Sequence, residues 1–173
     1  MTISIAVLGG SLAAPGSADY EQALAVGREV ARRGGRVVCG GGGGVMEAVC
    51  RGASEAGGRS LGILVGPGEP NRWVGETVHA SDLASRLSRM AEESSAAIFL
   101  PRGLGTLLEL AWISESIVKE RLEPRPIVFL GLFWRRVAAL AVAEAAGPGA
   151  GAFAESLRFT ASPQEAVAAA YRG

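Results

Sequence analysis

The chain has 173 residues, the usual size of one domain, and 49% of them are hydrophobic, enough for a sizeable core. Lys and Arg number 17 against 17 Asp and Glu, so the formal net charge is zero. That excludes the broad positive field used to grip nucleic acid or an anionic membrane, but not a local anion site, which needs only a few donors.

Two cysteines, Cys39 and Cys50, with the single histidine His79 make no zinc spacing, and both cysteines read as small buried apolar residues. No apolar run reaches membrane-spanning length, and Met1 to Ser4 carries no charged leader. The expectation is a cytoplasmic, single-domain protein over 1–173, with no metal and no resident cofactor.

Along the chain, Ile3 to Leu8 is a short apolar run ending in Gly9-Gly10-Ser11, a buried first strand. Ser17 caps a helix with Tyr20, Leu24, Gly27 and Ala31 on one stripe, stopped at Arg32-Arg33-Gly34-Gly35. Arg36 to Cys39 is the second strand and breaks into five glycines, Gly40 to Gly44. A helix from Val45 to Ala56 and a strand from Ser60 to Val65 follow, then a Pro/Gly loop from Gly66 to Val74.

Thr77 to His79 reads as a short strand, and Ser81 or Asp82 opens a helix to Glu93. Ala96 to Leu100 is a strand broken at Pro101-Arg102-Gly103-Leu104-Gly105, with a helix expected from Thr106 to about Lys119. Pro126 to Leu130 is a strand, Phe133 to Ala145 a helix, Gly147 to Gly151 a loop and Leu157 to Thr160 the last strand. Ser162-Pro163-Gln164-Glu165 is the cap, first-turn proline and capping-box acid of a final helix. Strands alternate with helices and are continuously apolar. The expected fold is therefore α/β, a three-layer Rossmann-like fold with a mainly parallel, doubly wound sheet. Ligands in such sheets bind beyond the carboxyl ends of the strands, at the switch point.

Three strand ends carry special sequence: Gly9-Gly10-Ser11, Gly40 to Gly44, and Pro101 to Thr106. The second and third lie between a strand and a helix, where unpaired N–H groups and the helix dipole favour an anion. Glycine there lets a phosphate reach the backbone. The usual nucleotide fingerprints are absent. A Walker loop needs lysine after its last glycine, and the only lysine is Lys119. A dinucleotide site needs Gly-x-Gly-x-x-Gly after the first strand, which reads Gly9-Gly10-Ser11-Leu12-Ala13-Ala14. A pyridoxal-phosphate decarboxylase would have to use Lys119 as its Schiff base, and Lys119 reads as a solvated helix end.

Pro101-x-Gly103-x-Gly105-Thr106-x-x-Glu109 resembles the Pro-Gly-Gly-x-Gly-Thr-x-x-Glu motif of the LOG family, often mislabelled as lysine decarboxylases. Upstream, Arg86-x-x-x-Met90 resembles that family's Arg-Lys-x-x-Met. Gly41-x-Gly43-Gly44-Val45-Met46-Glu47-Ala48 is similar to the shorter glycine loop of a bacterial branch that includes molybdenum-cofactor carrier proteins. The resemblance implies a homodimeric phosphoribohydrolase that splits a nucleoside 5'-monophosphate into free base and ribose 5-phosphate. It places Gly103, Gly105 and Thr106 on the phosphate, Glu109 as catalytic acid and Arg86 as its cationic partner. Gly9, Gly10, Ser11, Gly42, Gly43, Gly44, Met90 and Arg102 would complete the ligand site. Arg102 stands where the family has a glycine, and Leu87 where it has lysine. The alternative reading is a nucleotide or molybdenum-cofactor carrier without turnover.

Plainer readings exist for the same residues. Thr106-Leu107-Leu108-Glu109 is also a capping box. Arg86 shares helical spacing with Asp82 and Arg89, as a surface ion pair would, and Met90 fits a core position. Glu47 suits a helix dipole, His79 a structural role, and Trp73 could stack on a base. Trp112, Ile113 and Ile117 give the helix after the motif an apolar face that is either core or a dimer contact.

Overall fold

The computed structural model describes residues 2–172. Its elements run β1 (Ser4–Leu8), α1 (Ala18–Arg32), β2 (Arg36–Cys39), α2 (Val45–Glu55), β3 (Arg59–Val65), β4 (Glu76–Ala80), α3 (Leu83–Glu92) and β5 (Ala96–Phe99), followed by α4 (Leu104–Val118), β6 (Ile127–Leu130), α5 (Arg135–Glu144), α6 (Ala150–Ser156), β7 (Leu157–Thr160) and α7 (Pro163–Ala170).

Among the described residues the strands form one seven-stranded sheet in the order β4-β3-β2-β1-β5-β6-β7. Every pairing is parallel, so the sheet is wholly rather than mainly parallel. The chain winds outward from β1 to β4, then returns to pair β5 with β1, with Ala6 opposite Val38 on one side and Ala97 on the other. The winding direction reverses between β1 and β5, and a crevice opens there at the carboxyl ends of both strands.

Strand side chains alternate between two cores, which explains the unbroken apolar runs. Ile5 and Val7 face one core with Tyr20 and Leu24 of α1, Val45 and Val49 of α2, and Val167 of α7. Ala6 and Leu8 face the other with Met90 of α3, Leu110, Ile113 and Ile117 of α4, Ala138 of α5 and Phe153 of α6. A buried Leu, Ile or Phe contributes roughly 1.5–3 kcal/mol relative to exposure, so these layers hold the loops above them as a stiff frame. No helix among the described residues is long and apolar enough to cross a membrane.

Caps appear where the residue types called for them: the side chains of Ser17, Asp82 and Ser162 accept from Tyr20, Ser85 and Glu165 N–H groups. Three regions differ from the sequence reading by two residues or more. Helix α5 starts at Arg135, and Phe133 lies in the preceding turn, T-stacked on Trp134. Helix α6 occupies residues beyond and inside the expected loop; Phe153, 1% exposed, anchors it in the core, and the Gly149 N–H donates to Val118 O of α4. Tertiary packing there outweighs the low helix propensity of the glycines. Helix α4 begins at Leu104, not Thr106, because Gly103 at φ 98° is the residue that turns the chain into the helix.

Candidate active site

The loops after β1, β2, β3 and β5 are tied into one surface by main-chain bonds. The Gly10 N–H donates to Pro101 O at 3.2 Å, and the Val45 N–H donates to Gly10 O at 3.0 Å. The Asn71 N–H donates to Gly41 O at 2.7 Å. Gly44, the residue before α2, has φ +64°, and a Cβ there would lie 2.5 Å from Gly10 O. Only glycine allows both that conformation and that approach. From the far side, the Trp134 indole N–H donates to Leu100 O at 2.8 Å and steadies the end of β5.

A cleft of about 220 Å3 lies over the β1–β5 switch point. Gly9 and Ser11 come to it from the first loop, Arg86 from α3, and Gly103, Gly105, Thr106 and Glu109 from the start of α4. Residues four strands apart in sequence thus meet, as the glycine-loop pattern anticipates. Leu8, Met46 and Leu104 also line the cleft; none is among the expected site residues, although Met46 and Leu104 stand inside the two glycine motifs. Met46 had one available signal, its place in the first turn after the glycine run.

At the floor, the N–H groups of Leu104, Gly105 and Thr106 belong to the first turn of α4 and have no carbonyl of their own helix to meet. The capping residue is Gly103, with no side chain to satisfy them. An anion above this turn would meet unpaired donors and the positive end of the helix dipole. With α4 starting at Leu104, Thr106 is a first-turn residue and not the cap, so the Thr106–Glu109 capping box does not form. Thr106 and Glu109 are three residues apart and share a helix face.

Glu109 is 8% exposed, unusually buried for a carboxylate. Arg86 Nη2 lies 3.5 Å from its Oε1, with side-chain exposures of 16% and 10%. That contact is long for a charge-assisted hydrogen bond. Burial therefore prevails: it pushes the Glu109 carboxyl from an ordinary 4.5 up to about 7, against the opposing pull of Arg86. Arg86 is held by its Nε, which donates to Ile63 O at 2.9 Å, and by the glycine run: a Cβ on Gly40 would sit 1.9 Å from its Nη2. Arg86 is thus a half-buried cleft residue and not a partner in an Asp82 surface pair; Asp82 caps α3 instead.

Other expected site residues lie outside the cleft lining. Gly10 and Gly44 form its backbone frame, Gly42 lies against Met46, and a Cβ on Gly43 would be 3.6 Å from Ser11 O. Met90 is 2% exposed in the core beneath the sheet, one helical turn beyond Arg86. Arg102 adopts φ 74° in the position of the family glycine, and its Nε donates to Asp19 Oδ2 at 3.1 Å on α1, away from the cleft. Trp73 packs against the core beside Arg51 and Arg72. Ile113 and Ile117 are core residues, while Leu104 and Leu108 of the same helix are exposed.

The model of the SLOG cluster4 family matches residues 2–122, which spans every cleft element. A curated relative, the cytokinin riboside 5'-monophosphate phosphoribohydrolase LOG3 of Arabidopsis thaliana, is 35% identical over 111 residues, covering 61% of this chain and 52% of its own. The chain spans about half the length of the curated relatives it matches. Among solved structures, the molybdenum cofactor carrier protein of Chlamydomonas reinhardtii superposes with a TM-score of 0.79 at 24% identity, over 99% of this chain and 98% of its own. The molybdenum cofactor binding protein of Rippkaea orientalis gives 0.75 at 23% identity, over 97% and 94%. At that identity the two structures share the fold.

Proposed function

The chain belongs to the SLOG cluster4 family, and from that premise we propose that it is a phosphoribohydrolase, cleaving the N-glycosidic bond of a nucleoside 5'-monophosphate. The observation that carries the reading is Glu109: a carboxyl buried in a cleft, facing a fixed arginine at 3.5 Å, with its pKa raised to about 7. A structural ion pair would be closer; a group that gives and takes protons near neutral pH is what acid–base catalysis requires.

In this reading the 5'-phosphate sits on the first turn of α4, held by N–H groups at Gly105 and Thr106 and reached because Gly103 and Gly105 have no side chains. Gly9, Gly10 and Ser11 border the ribose, with Gly42, Gly43 and Gly44 behind it and Met90 supporting Arg86 from below. Arg102 would reach the phosphate only by leaving Asp19. With the phosphate at the helix start, Glu109 faces the sugar. As C1'–N breaks, its electron pair leaves with the base and positive charge grows on the ribose. The Glu109 carboxylate stabilises that charge and takes a proton from the water that attacks C1'. Glu109 gives that proton up through solvent, the departing base takes one up in turn, and the water oxygen becomes the C1' hydroxyl of ribose 5-phosphate. Arg86 fixes the carboxylate and binds sugar hydroxyls. We place the reaction in the cytoplasm, in a homodimer whose contact includes Leu104 and Leu108.

Base release from a panel of nucleoside 5'-monophosphates, with Glu109→Gln as the blank, tests this. Release above the blank supports hydrolysis. Stoichiometric retention of a nucleotide or pterin phosphate without release replaces it with the carrier reading.

A further inference from the structure

Asn71, in the loop between β3 and β4, grips the glycine run from behind. Its side-chain Nδ2 donates to Gly41 O at 3.1 Å and to Gly42 O at 2.8 Å, and its own N–H donates to Gly41 O at 2.7 Å. The Trp73 N–H donates to Asn71 Oδ1 at 3.0 Å, closing an Asx turn. That bond settles the orientation of the amide: an N–H must meet the oxygen, so the nitrogen faces the glycine carbonyls.

Glycines have no side chains to pack, so what restrains their peptides is hydrogen bonding. In a trans peptide the carbonyl of one residue and the N–H of the next point in opposite directions. With the Gly41 and Gly42 carbonyls turned to Asn71, the Gly42 and Gly43 N–H groups point away from it. The same loop touches two cleft residues. Gly40 lies against the Arg86 guanidinium, and a Cβ on Gly42 would be 2.9 Å from Met46 Cε. Among the described residues, Arg86 and Glu109 are the only charged ones that line the cleft, so the spacing of this pair governs its electrostatics.

We propose that Asn71 is a positioning residue: by clamping Gly41 and Gly42 it seats the glycine loop against Arg86 and Met46, and so sets the distance between Arg86 and Glu109. Its catalytic consequence rests on the phosphoribohydrolase reading. Ser60 provides a matched control. Its hydroxyl accepts from the Gly75 N–H at 2.9 Å and donates to Trp73 O at 3.4 Å, bracing the same loop without touching the glycine carbonyls.

The test compares wild type, Asn71→Ala and Ser60→Ala in two readouts: base release against pH, and titration of the Glu109 carboxyl by 13C NMR, assigned with Glu109→Gln. Asn71→Ala should lower kcat by about tenfold or more. It should also move the Glu109 midpoint upward by about half a unit or more, because a displaced Arg86 favours the carboxylate less. Ser60→Ala should stay within about twofold, with no displaced midpoint. If Asn71→Ala does not fold, Asn71→Asp keeps the acceptor for Trp73 but replaces the Nδ2 donors with a charged oxygen that repels the Gly41 and Gly42 carbonyls; it should show at least the same loss of kcat. An unmoved midpoint in Asn71→Ala, or an equal shift in Ser60→Ala, overturns the proposal. If wild type releases no base from any nucleotide, the hydrolase reading fails by itself, and the Glu109 titration still decides the role of Asn71.

Discussion

Replacing Glu109 by glutamine should stabilise the protein at alkaline pH and leave it nearly unchanged in acid. The carboxyl titrates near 4.5 in an unfolded chain and at about 7 in the native cleft. Between these values the native state holds a proton that the unfolded state has released, so stability falls as pH rises through that window. At about 1.4 kcal/mol per unit, a displacement of about 2.5 units costs about 3 kcal/mol above pH 7. Below about pH 4.5 both states are protonated and the cost vanishes. Glutamine is neutral at every pH and nearly the same shape, so it removes the penalty where the penalty exists. Urea unfolding of wild type and Glu109→Gln at pH 5 and pH 8 measures it. We expect a gain of about 3 kcal/mol at pH 8, a few degrees of melting temperature per kcal/mol, and well under half of that gain at pH 5. An identical difference at both pH values would show that native Glu109 does not hold its proton toward neutrality, and would remove the acid–base role assigned to it.

Gly105→Val should fold as the wild type does, because a Cβ at Gly105 meets no atom within 4 Å, yet calorimetry with a nucleoside monophosphate should register loss of binding; wild-type affinity would place the phosphate elsewhere. Base release should disappear in Glu109→Gln while nucleotide affinity is kept or improved, since a negative charge near the phosphate is gone. Arg102→Gly should raise stability by up to about 1 kcal/mol in urea unfolding, because φ 74° costs a side-chain-bearing residue more than its exposed pair with Asp19 returns; a loss of stability would refute strain at that position. Light scattering at micromolar concentration should return twice the chain mass, and a monomer would remove the dimer from the proposal.

Much of this protein is written locally. The alternation of apolar strands with capped helices encodes the doubly wound sheet, because both faces of each strand must be covered, and Ser17, Asp82 and Ser162 mark helix starts by the bonds that their own side chains can make. The glycine runs point to an anion site from residue type alone, whereas Arg86 and Glu109 join it only through the resemblance to the LOG motifs. Tertiary structure decided the rest. Glu109 could have been a capping-box acid until Gly103 took the start of α4, and its raised pKa depends on burial among residues from α3, α4 and the loop after β1. Helix α6 exists because Phe153 reaches a core that no local window contains. Arg102 turns to Asp19, 83 residues distant in sequence, and Asn71 finds Gly42 across 29. Such contacts follow from which strands neighbour one another in the sheet, and hydrogen bonding, desolvation and close backbone approach are properties of that arrangement and not of any single segment.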